Sequence, residues 1–99
     1  MHKDLTKLIH YNDDAILSKA IIKTDKKNVT LFCMAKGTEL SEHTSTKEAM
    51  VHVIEGTGTF ILKGKKIAMK PGMIILMDKN AKHSLKAEKN LSFILTFNI

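Results

Sequence analysis

Seven clusters of turn-forming residues interrupt this chain at short intervals, and that spacing leaves room only for short extended segments. The clusters are "DKKN" (25–28), "KGTELSE" (36–42), "EGTG" (55–58), "KGKK" (63–66), "KPG" (70–72), "DKNAK" (78–82) and "AEKN" (87–90). Glycine supplies positive φ, proline presets φ, and Asn and Asp bond their own backbone, so such clusters mark reversals of direction. Between them lie apolar, β-branched stretches at 15–22, 29–35, 49–54, 59–62, 67–69, 73–77, 83–86 and 91–97. Eight short strands so spaced predict an all-β protein of two packed sheets, a sandwich or barrel. Residues 13–99 read as one domain, preceded by an arm over residues 1–12 with a short helix around Leu5–Ile9.

Charge and composition narrow the function classes. The net charge is +6, yet all 16 basic residues are lysine and none is arginine. Arginine supplies the bidentate fork that reads phosphate and guanine, so specific nucleic-acid recognition is not expected. The lysines are scattered in runs of at most two, the pattern of a solubilising surface. No apolar run approaches the roughly 20 residues of a membrane span. The opening "MHKDLTKLIHYNDD" has no apolar core of a signal peptide. Cys33 is a single cysteine and has no partner for an intramolecular disulfide. These features predict a cytoplasmic protein. Cys33 reads as a buried inert thiol. Met34, Met50, Met69, Met73 and Met77 read as core filler rather than copper ligands.

One stretch supports two local structures. Ser45-x-x-Glu48 is a capping-box pattern, and Gly56 would end a helix through Ala49–Ile54. Against it, Val51, Val53 and Ile54 are β-branched, and "TGTFIL" continues as another strand. The strand is preferred, with a hairpin closed near "EGTG".

The histidines carry the chemistry. His43 and His83 each lie beside a turn at the mouth of a strand, where imidazole serves as metal ligand or general base. By spacing alone, two imidazoles hydrogen-bonded at the surface are the better explanation. The surrounding residues, however, resemble the two motifs of the cupin superfamily. In the first motif, Gly37 is followed by "TELSE" and His43. Ser45 stands in the place of a second histidine, Ala49 in that of a glutamate, and Gly56 closes the motif. In the second, Asp78-Lys79-Asn80 replaces Pro-x-Gly, "AK" follows, and His83 holds the ligand position. The likeness runs from about residue 12 to 99 and implies a jelly-roll barrel, a double-stranded β-helix, with a pocket for a small molecule.

Of the ligands that the resemblance implies, His43 and His83 remain. His52 would make a third. Simple alternation sets it opposite Ala49, Val51 and Val53, and a β-bulge near Glu48 would bring it inward. The candidate metal ligands are therefore His43, His83 and His52, for a weakly held divalent ion (Zn, Fe, Ni or Mn). The function expected is small-molecule binding in the barrel. The alternatives are a metal-dependent enzyme of dioxygenase or isomerase type, and a metal-free sensor or structural dimer module. "AMVHVI" and "GMIILM" are apolar on both faces, so a homodimer is expected.

Overall fold

The computed structural model describes residues 1–99. Its nine strands are β1 (Ile16–Lys23), β2 (Lys27–Met34), β3 (Glu39–His43), β4 (Ala49–Glu55), β5 (Gly58–Leu62), β6 (Lys65–Met69), β7 (Ile74–Met77), β8 (His83–Ala87) and β9 (Leu91–Asn98). They form two antiparallel sheets, ordered β1-β2-β9-β4-β7 and β3-β8-β5-β6. The predicted all-β jelly roll is what the chain builds.

Turn chemistry matches backbone conformation. Lys63 and Gly64 both have positive φ (51° and 80°) and close a two-residue hairpin between β5 and β6. That geometry suits the right-handed twist of the flanking strands. Pro71-Gly72 makes a turn in which the Met73 amide donates to the Lys70 carbonyl at 3.1 Å, with Gly72 at φ 90°.

Two expectations need correction. "EGTG" does not close a hairpin. β4 pairs with β7 and β9, whereas β5 pairs with β6 and β8 in the other sheet. The reason lies at Gly56, with φ 86°, which turns the chain across the gap between the sheets. The segment read as one long turn, 36–42, contains the start of β3. That strand is an edge whose only partly buried residue is Leu40, so it carries no apolar alternation to reveal it. The capping-box helix does not form; the Ser45 hydroxyl instead accepts from the Lys47 amide at 3.3 Å in the approach to β4.

Alternation places the core. Ala49, Val51 and Val53 on β4 face Met34, Phe60, Met69, Leu85, Leu91 and Phe93 between the sheets. Burying such side chains is worth about 1.5–3 kcal/mol each, which makes this layer the main source of stability. Behind the five-stranded sheet a second cluster forms. Ile21, Leu31 and Cys33 are covered there by Leu5, Leu8, Ile9 and Tyr11 of the N-terminal arm. The arm makes one 3-10 turn, Leu5–Lys7, capped by the Asp4 carboxylate on the Thr6 amide at 3.0 Å.

Tyr11 fastens this arm, its hydroxyl donating to the Glu55 carboxylate at 2.8 Å. Burial first, and then that carboxylate, push its pKa up to about 12. The neighbouring Ser92 hydroxyl opposes the shift without closing a well-formed hydrogen bond. The folded value lies above the ordinary 10, so folding favours neutral tyrosine. The resulting stability is intact below pH 10 and is lost as pH rises towards 12. Urea midpoints measured on either side of pH 10 should fall on the alkaline side, and Tyr11→Phe should flatten that fall.

Candidate functional site

The site is set by an irregularity in β3. Leu40 pairs with Leu85 and His43 pairs with His83, so three steps on β3 match two on β8. One extra residue therefore bulges from β3. In a regular strand Leu40 and His43, three apart, would point to opposite faces; the bulge brings both to the face that meets Leu85 and His83. His83 needs no such device, because it alternates with buried Leu85 and Ala87 on β8.

The two imidazoles meet at the mouth of the barrel, the exposed His43 over the buried His83, with ring centroids 4.1 Å apart and planes at 61°. His83 is buried and lies parallel to Phe60 at 5.9 Å. Each ring is anchored through Nδ1. His43 Nδ1 faces the Ser41 carbonyl at 2.7 Å, and His83 Nδ1 faces the Ala81 carbonyl at 3.0 Å. A carbonyl only accepts, so the nitrogen facing it carries the proton. Both rings are thus held with Nδ1 donating and the Nε2 lone pair free, the orientation that histidines take when they ligate a metal. The only sealed side-chain polar atom without a partner is Ser92 Oγ, so the unpartnered His83 Nε2 opens onto free space.

That space is a chamber of about 50 Å³ between the sheets. Eight of its ten lining residues are hydrophobic; Met77 is one of them, and the other two residues are His43 and His83. Larger depressions exist. One of about 420 Å³ crosses the outer face of the four-stranded sheet between Glu39, Glu42, Lys66 and Lys86. It is an open trough of mixed charge, and its lysines and glutamates are solvated side chains. The convergent polar groups are in the chamber.

His52 is not brought to the pair. β4 runs in regular register from Ala49 to His52 against both neighbours, with Ala49 opposite Met77 and His52 opposite Ile74 and Ile94. No bulge lies near Glu48, so His52 stays on the outer face, behind Val51 and Val53. Met50, expected as core filler, shares that outer face and is exposed. The pair stands without a third residue of its kind: no three His, Cys, Asp or Glu side chains gather where they could hold a metal ion. The carboxylate position implied by the resemblance is Ala49, which is buried and apolar. Two imidazoles without a carboxylate do not fit a divalent ion, which takes four ligands as Zn²⁺ or oxygen-rich octahedral shells as Mn²⁺.

The cupin domain family matches residues 30–97. The chain is a cupin domain protein. No match was found among curated proteins. Solved structures carry the fold further. A conserved protein of unknown function from Streptococcus pyogenes is 24% identical, with a TM-score of 0.87 over 99% of this chain and 86% of that one. A cupin superfamily protein from Desulfitobacterium hafniense DCB-2 is 20% identical, with a TM-score of 0.88 over 96% and 87%. A salicylate 1,2-dioxygenase mutant from Pseudoaminobacter salicylatoxidans, in complex with gentisate, is 14% identical. Its TM-score is 0.80 over 84% of this chain and 25% of that one. At these identities the likeness is one of fold, and no helix of this cupin is long and apolar enough to cross a membrane.

Proposed function

We propose that this cupin is a binding protein whose barrel chamber takes the electron-accepting head of a small ligand. The observation that supports this reading is the pair of Nε2 lone pairs freed by the two backbone-anchored Nδ1 atoms. Lone pairs bond to hydrogen-bond donors or to Lewis acids. The hydrocarbon lining strengthens such a bond at the buried His83, while the exposed His43 meets the ligand at the mouth. Nothing in the chamber is placed as a general acid beside a nucleophile, so binding fits the site better than turnover. Long-range ¹⁵N–¹H spectra of the imidazoles test the reading. Unprotonated Nε2 on both rings is expected, and formamide as a small donor probe should move both resonances. An Nε2-protonated tautomer on either ring would remove the acceptor pair and the proposal with it.

A second copy of the chain docks, on this reading, on the outer face of β4 and β7. The arm covers the β1-β2-β9 part of that sheet and leaves Ile74 and Leu76 59% and 58% exposed beside Met50. β7 is an edge strand with a free hydrogen-bonding edge. Edge strands are usually guarded by lysine, yet none of the chain's lysines faces outward on β4, β7 or β9. His52 sits at the centre of this face, which gives it a packing role. Sedimentation equilibrium should show a dimer of the 11.1 kDa chain, and Leu76→Lys should yield monomer. A single monomeric wild-type species at micromolar concentration would contradict the assembly.

A further inference from the structure

We infer that the seam between the N-terminal arm and the barrel is a second binding site, which takes a small organic ammonium ion and clamps the arm when filled. It lies on the outer side of the five-stranded sheet and does not depend on the chamber. The seam is a groove of about 480 Å³, within the roughly 300–1,000 Å³ typical of pockets for small organic molecules. Thr6, Ile9 and Tyr11 come from the arm, Ile54 and Glu55 from the end of β4, and Pro71 from the turn before β7. The groove therefore exists only while the arm is folded down.

The lining chooses the ligand. Ile9, Ile54, Pro71 and the Tyr11 ring are apolar walls, and Glu55 is the one charged residue among the six. None of the 16 lysines lines the groove. The only salt bridge in the chain joins Lys63 to Asp78, so Glu55 has no lysine partner. One Glu55 oxygen accepts the Tyr11 proton at 2.8 Å, which leaves the other to accept from a ligand. A carboxylate accepts hydrogen bonds and repels anions. Its bond to a cationic N–H is roughly twice as strong as one between neutral groups, which favours an ammonium over an alcohol. The net charge of +6 opposes cations only at long range, and salt screens it beyond about 10 Å.

The arm's position is coupled to this site. Cys33, Ser92 and Glu55 lie side by side across β2, β9 and β4. Tyr11 reaches Glu55 at one end of that row, and Cys33 is buried under the arm at the other. Lifting the arm breaks the Tyr11–Glu55 bond, removes one side of the groove and bares the thiol. A ligand held by the groove opposes all three.

The test uses the intact chain with benzylammonium as probe, benzyl alcohol as its neutral counterpart and benzoate as the anion. Amide resonances of Ile9, Tyr11 and Ile54 should move, while those of His43 and His83 stay in place. Benzylammonium should bind about fivefold tighter than benzyl alcohol, and benzoate weakest of the three. Glu55→Gln should erase that preference, and its melting curve separates a lost charge from a lost fold. In the wild-type chain, benzylammonium at ten times its Kd should slow the reaction of Cys33 with dithiobis(nitrobenzoate) about tenfold. Benzyl alcohol or benzoate bound as tightly as benzylammonium would overturn the inference. So would shifts confined to the two histidines, an unchanged preference in folded Glu55→Gln, or a Cys33 rate indifferent to the ammonium. If Glu55→Gln does not fold, the three probes and the thiol rate decide the matter on the wild-type chain.

Discussion

Replacing Gly56 with alanine is expected to destabilise the fold by about 4 kcal/mol, among the largest effects a single methyl group can have. Two costs combine. The residue sits at φ 86°, where an L side chain costs about 1–2 kcal/mol. A Cβ there would also lie 1.8 Å from the Asn90 carbonyl oxygen and 2.7 Å from its carbon, both backbone atoms fixed in the turn before β9. The clash cannot be relieved by rotating a side chain. Either the crossing from β4 to β5 or the start of β9 must move, and both carry core residues. Gly37, Gly64 and Gly72 provide the control. Their φ values are 86°, 80° and 90°, but a Cβ at each meets nothing within 4 Å. Alanine there should cost only the backbone share, about 1–2 kcal/mol. Urea denaturation of the four variants reads the difference. Equal losses at Gly56 and Gly64 would show that the Asn90 turn yields, and that this contact is not what demands glycine.

Phe60→Ala should cost about 3–5 kcal/mol, a large share of the total for a 99-residue domain. The ring is fully buried at the centre of β5, opposite Leu85 on one side and Ile67 on the other. Its truncation leaves a void that neighbouring strands, fixed by their ladders, fill only in part. The same ring is a wall of the chamber and lies flat beside His83. Loss of stability should therefore come with loss of order in the His83 imidazole, read from its ¹⁵N resonances. Phe60→Leu should retain much of the stability. A Phe60→Ala variant with a urea midpoint near wild type would mean that the chamber collapses freely, and that its small volume is not held by packing.

What could be read from the sequence follows the nature of each signal. Apolar alternation and turn residues are local, so the strands through Val51, Leu31 and Phe93 and the Lys63-Gly64 and Pro71-Gly72 turns were legible. β3 was not, because an edge strand reading "ELSEH" buries only part of Leu40 and leaves no periodic trace. Pairing across "EGTG" was misjudged for a related reason. Which sheet a strand joins is decided by partners far along the chain, here Phe93 for Val53 and Leu85 for Phe60. At the site, His43 and His83 were found through motif likeness, since nothing local says that residues forty apart will touch. Strict alternation gave the right face for His52. The bulge that matters lies in β3 rather than near Glu48, and no residue type in "LSEH" announces it. Met77 was legible only as apolar; its register opposite Ala49 is what places it at the chamber.

The bulge in β3 ties the site to the register of one edge strand rather than to its residue types. Were β3 to pair with β8 in regular register from Leu40 onward, Glu42 rather than His43 would fall opposite His83, and His43 would turn to the other face. Removing one residue between Leu40 and His43 would make the bulge unnecessary, because the two side chains, then two apart, share a face without it. A single-codon deletion should thus keep the histidine pair on a straighter strand. Among descendants of such a barrel, a histidine at position 43 would be a poor guide to whether the site is present. The pairing of β3 with β8 would be the better one.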